Sequence, residues 1–156
     1  MKRRVLGLGG LALLLALLGG WLLLRPSDSA QAVTEAEARA YFQQIAAAGQ
    51  AHDFERLCSL NGAVLNCRRM LDPTALSSAP TAAPVVVSAH YEGKRASDDS
   101  AGWLLVVQGR DGKSHPYESQ VFVFRDDEGK LKAINAVYWT GARIDLGDPN
   151  DGTSPT

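Results

Sequence analysis

Three histidines and two cysteines among 156 residues leave little material for metal or redox chemistry. The cysteines are not in a Cys-x-x-Cys pair, and no histidines and carboxylates share ligand spacing. There is no glycine-rich phosphate loop between a strand and a helix, and no Gly-x-Ser-x-Gly nucleophile turn. Cofactor-free, metal-free chemistry or no chemistry at all is what remains. Positive charge is equally scarce. Sixteen basic residues meet seventeen acidic ones, for a net charge of −1.

That small charge is unevenly placed. Lys2, Arg3, Arg4 and Arg25 are the only charged residues among the first 25, so residues 26–156 hold twelve basic against seventeen acidic residues, a balance of −5. The basic residues there are scattered among acids, which argues against nucleic acid as a partner. With 46% hydrophobic and 21% charged residues, the chain is too apolar for global disorder and long enough for one domain.

What is present begins with a long uncharged run. Val5 to Leu24 holds no charge and, as a helix, spans about 30 Å, the thickness of a bilayer core. The basic residues before it predict a cytoplasmic stub at 1–4, a transmembrane helix or signal anchor at 5–24, and export of everything after Arg25. Ala30-Gln31-Ala32 offers the alternative of a cleaved signal peptide and a secreted domain. Ala12, Ala16 and Gly20 recur every four residues, which would let two such helices associate, and Trp21 suits the membrane interface.

Residues 25–33 read as a tether, and Thr34-Glu35-Ala36-Glu37 as a capping box that opens a helix. Ala38, Tyr41, Phe42, Ile45 and Ala48 form its apolar face, and Gly49 is a suitable terminator. Asp53 can cap a second helix through Cys58, broken by Asn61-Gly62; a third, Ala63 to Leu71, stops at Asp72-Pro73. Thr74 to Pro84 reads as a crossover loop or link. The period then changes to two: Val85 to Tyr91, Trp103 to Gly109, Ser119 to Arg125 and Lys130 to Trp139 are expected strands joined by short turns, hence antiparallel. Residues 145–156 read as a disordered tail. The fold class expected is α+β, helices packed on a curved antiparallel sheet of about four strands, in one exported domain at 34–144. The last strand has apolar residues on both faces, as if the sheet curled around a partial cavity or a partner covered it.

This order, an amphipathic opening helix Thr34 to Ala48, short helices through Cys58 and Cys67, then long strands ending in Asn135-Ala136-Val137-Tyr138-Trp139, resembles the NTF2-like (SnoaL-like, cystatin-related cone) family. Behind a basic stub and one membrane helix, it is also similar to bacterial envelope accessory proteins such as type IV secretion inner-membrane scaffolds. That resemblance implies a non-enzymatic domain that binds an envelope protein partner, a second copy or a small apolar ligand. The cone family also hosts isomerases and dehydratases, which use an Asp or His base and a Tyr donor inside the cavity. A cavity enzyme of that kind is therefore the alternative, with Tyr41, Trp103, Tyr117 and Tyr138 as expected pocket lining. No strand displays an obvious inward carboxylate to serve as base.

Cys58 and Cys67 would lie on opposite faces of one continuous helix, too far apart to bond. The Asn61-Gly62 break removes that objection, and export to an oxidising compartment makes a structural disulfide the expectation, with buried free thiols as the alternative. His52-Asp53 reads as a helix cap, His90 as a solvated strand residue, and His115-Pro116 as part of a turn. Asp98-Asp99 and Asp126-Asp127-Glu128 are hairpin-loop charges.

Overall fold

Thr34 opens the first helix as its side chain allows. In the computed structural model, which describes residues 32–93 and 101–144, the Thr34 hydroxyl accepts from the Glu37 amide at 3.2 Å, and Glu37 reaches back to the Thr34 amide at 2.9 Å. Helix α1 (Glu35–Gln50) follows, with Ala38, Tyr41, Phe42, Ile45 and Ala48 buried as the spacing predicts. Gly49 does not end it. Its role is close approach: a β-carbon there would stand 3.0 Å from the Tyr138 hydroxyl and 3.2 Å from the Trp139 ring. The reversal falls instead at His52, whose φ of 55° is left-handed.

Asp53 caps α2 (Phe54–Ser59) by accepting from the Arg56 amide at 3.1 Å. Helix α3 (Val64–Met70) follows the break, and the disulfide Cys58–Cys67 joins the two with a Cα separation of 5.4 Å. Asp72-Pro73 ends α3 and also starts α4 (Pro73–Ser77), a helix inside the segment expected to be loop. Proline has no amide to leave unpaired in a first turn, and Asp72 accepts from the Ala75 amide at 2.7 Å.

Four strands, β1 (Val85–Glu92), β2 (Gly102–Arg110), β3 (Pro116–Arg125) and β4 (Leu131–Ile134), form one antiparallel sheet in sequential order. The architecture is α+β. The pairing places Leu105, Val107, Val121, Val123 and Ala133 on one face, where they make a single core with the buried side of α1, Leu57, Cys58 and Cys67. Arg125 at the end of β3 binds Glu37 of α1 at 2.6 Å.

The fourth strand is shorter than expected. It stops at Ile134 because Asn135 takes a φ of 64° and donates its side-chain amide to Gln120 O at 2.7 Å and Ser119 Oγ at 3.1 Å. Asparagine tolerates this left-handed geometry better than most residues. The chain turns inward, Tyr138–Thr140 forms a 3-10 helix, and Ala136, Val137, Tyr138 and Trp139 are all buried. The apolar residues assigned to two faces of one strand thus belong to a strand and a buried coil. Along its outer edge β4 is covered: Ala133 donates to Leu60 O at 3.0 Å and accepts from the Gly62 amide at 2.7 Å.

The expected anchor at 1–24, the tether up to residue 31, the Asp98-Asp99 loop and the tail from Asp145 lie outside the described residues. Among the described residues no helix is long and apolar enough to cross a membrane.

Candidate functional site

Each of the expected pocket aromatics has a place in the fold. Tyr41 on α1 donates its hydroxyl to Leu60 O at 2.9 Å. Trp103 on β2 donates its indole N–H to Val33 O, also at 2.9 Å. Tyr138 is fully buried and donates to Ala46 O at 3.4 Å. Tyr117 on β3 has a buried hydroxyl with no hydrogen-bond partner among the described residues. The fold brings Tyr117 and Tyr138 together, their ring centres 6.0 Å apart. Tyr41 and Trp103 are instead fastened to the backbone at Leu60 and Val33.

Around Tyr138 the space between helices and sheet is filled with rings. Phe42 meets it edge-on at 5.4 Å, Trp139 edge-on at 5.2 Å, and Phe54 tilts onto Trp139 at 6.5 Å. Trp139 donates to Ala75 O at 2.9 Å, so α4 hangs on this cluster. Burial raises the phenols of Tyr41 and Tyr117 to about 12 and that of Tyr138 higher still, which keeps all three protonated. Tyr41 and Tyr138 each spend their proton on a backbone carbonyl, and the carboxylates that act on Tyr41 and Tyr117, Asp126 and Asp111, are themselves held by turn amides. Among the described residues the buried polar side chains other than these phenols are Asn61, Ser119 and Asn135, which include neither a carboxylate nor an imidazole.

The loop acids and histidines are accounted for locally. Asp126 Oδ1 accepts from the amides of Glu128 and Lys130, and Asp111 Oδ1 from those of Lys113 and His115. These are turn-forming contacts. His115 pairs with Asp111 at 3.4 Å, His90 is exposed, and His52 stacks on Phe54. Among the described residues no group of three or more His, Cys, Asp or Glu could hold a metal ion.

No protein-family model, curated protein or solved structure matches this chain. Its own surface must therefore carry the functional argument.

The surface feature that stands out is an edge. Strand β4 is covered by Leu60–Gly62, whereas β1 is the last strand on the other side and, among the described residues, pairs only with β2. On β1 the apolar residues Val85, Val87 and Tyr91 are 63%, 47% and 50% exposed. A bulge at Val87 shifts the register between Val86 and Ser88. The short turns expected between the strands make a meander, which already puts this first strand at an edge; they do not show which edge stays uncovered. One signal was available: Val85 to Tyr91 contains no lysine, proline or acid, the residues that usually blunt an exposed edge.

Proposed function

We propose that this protein is a non-catalytic, membrane-anchored extracytoplasmic domain of the cone type that captures an extended segment of an envelope protein along strand β1. The observation that carries the reading is the contrast between the sheet's two edges: β4 is closed by Leu60–Gly62, and β1 presents Val85, Val87 and Tyr91 to solvent. Strand addition uses such an edge, with backbone hydrogen bonds supplying affinity and alternate side chains supplying specificity. The filled aromatic interior favours this surface over an internal ligand, since small-molecule sites are concave. It also weighs against the isomerase or dehydratase alternative, whose base and donor would have to share that interior. The Cys58–Cys67 disulfide supports an exported domain, because such bonds persist in oxidising compartments. The helix-first order followed by a four-stranded meander supports the cone reading.

A photo-crosslinking amino acid at position 87 of the full chain, in its own membrane, tests this. A discrete protein adduct is expected, lost on Val85→Lys and not reproduced from position 65 on α3. An unchanged adduct in the lysine variant, or capture of nothing but a small apolar ligand, would overturn the reading. Mass spectrometry of the intact protein separates an anchor that begins at Met1 from cleavage after Ala32.

A further inference from the structure

Asn61 is the only asparagine in the sequence followed by glycine, and is therefore the one most prone to deamidation, because glycine leaves its own amide nitrogen unhindered for attack on the preceding side chain. In that reaction the Gly62 nitrogen bonds to Asn61 Cγ and loses its proton, and Nδ2 leaves as ammonia. Water then opens the cyclic imide at either carbonyl, leaving aspartate or isoaspartate. The fold blocks every part of this. The Gly62 amide is committed to Ala133 O at 2.7 Å. Asn61 is 5% exposed, with Oδ1 accepting from the Ala136 amide at 3.1 Å and Nδ2 donating to Ala63 O at 2.9 Å. Swinging Cγ onto the Gly62 nitrogen breaks all three bonds together.

The same dipeptide lies inside the ten-residue ring closed by Cys58–Cys67. We infer that Asn61-Gly62 is a latent deamidation site held shut by this disulfide, so that a chain whose disulfide is reduced acquires a permanent chemical mark. Reduction by a dithiol transfers two electrons and two protons to the sulfurs, and the dithiol becomes a disulfide. The ring then opens, and its closure entropy no longer opposes detachment of Leu60–Gly62 from β4; for ten residues this favours the detached state about a hundredfold. Aspartate at 61 lacks the N–H that Ala63 O accepts, and isoaspartate adds a carbon to the backbone that pairs with Ala133. Either product prevents full closure after reoxidation.

The test follows the full chain at mildly alkaline pH, oxidised, reduced with dithiothreitol, and as the Cys58→Ser/Cys67→Ser double variant. Peptide mapping by mass spectrometry reads conversion at Asn61, with Asn135, which precedes alanine, as the internal reference. Conversion at Asn61 is expected to rise about a hundredfold on reduction and in the double variant. Hydrogen exchange at the Gly62 amide is expected to rise by a similar factor, with the amides of Leu105 and Val121 still protected. Equal conversion in oxidised and reduced chains would overturn the proposal, and so would loss of protection at Leu105 and Val121, which would make the effect one of global unfolding.

Discussion

Trp139 and Tyr138 show how a buried aromatic serves the fold with both of its parts. Their rings fill the space beneath α1, and their polar atoms bind the carbonyls of Ala75 and Ala46. Trp139→Phe keeps most of the ring and removes the indole donor, while the Ala75 carbonyl still accepts from the Ser78 amide and hydroxyl, so a loss of about 0.5–1.5 kcal/mol in urea unfolding is expected. Val85→Ala, at an exposed site, is expected to stay within about 0.5 kcal/mol. Glu37 gives a second prediction. The Thr34 backbone amide, then the Thr34 hydroxyl and Arg125, hold its carboxyl below the ordinary carboxylate range despite some desolvation. The unfolded chain therefore takes up this proton at higher pH than the folded one. The stabilisation is complete above the ordinary carboxylate range and is lost as pH falls through the lowered folded value. Glu37→Gln is expected to be less stable than the parent near neutrality, with the gap closing in that acid window when unfolding is followed against pH.

Several element boundaries were legible where a side chain defines its own backbone. Thr34 with Glu37 and Asp53 cap helices as their chemistry dictates, and the Asn61-Gly62 break lets the two cysteines meet; Asp72 was legible as the end of α3 but not as the cap of α4, which lies in a segment expected to be loop. Strand β4 was not legible in full, because Lys130 to Trp139 keeps a two-residue apolar rhythm through Asn135. What ends it is a tertiary event, the Asn135 amide finding Gln120 O and Ser119 Oγ on β3. The order of the strands was legible, since short turns between neighbours make a meander whose first strand lies at an edge; that Leu60–Gly62 covers β4 was hidden, because that cover is a tertiary contact. The ring between α2 and α3 is expected to contribute roughly 2.7 kcal/mol. Cys58→Ser/Cys67→Ser should lower the urea midpoint accordingly. After the 3-10 helix, Gly141 turns the chain with a φ of 74°, and Gly141→Ala is expected to cost about 1 kcal/mol in the same assay.

At the scale of the molecule, the described residues close one edge of the sheet and leave the other open. The closed side depends on the loop that the disulfide encircles, so the covalent ring and the protection of β4 are one device. The open side has no comparable cover among the described residues, and one of its two exposed valines, Val87, sits at a bulge that interrupts but does not remove the edge. An edge of this kind pairs with whatever extended chain is available. For the purified protein the nearest such chain is a second copy, so association with rising concentration is expected in sedimentation measurements. Lysine at both exposed valines, Val85→Lys with Val87→Lys, places like charges across any antiparallel self-pairing while changing little inside the fold. The variant is expected to unfold within about 0.5 kcal/mol of the parent at each site and to sediment as a monomer under the same conditions. Undiminished association would place self-contact elsewhere, on the exposed face of α3 around Leu65 or within residues 5–24, and would remove β1 as the proposed interaction surface.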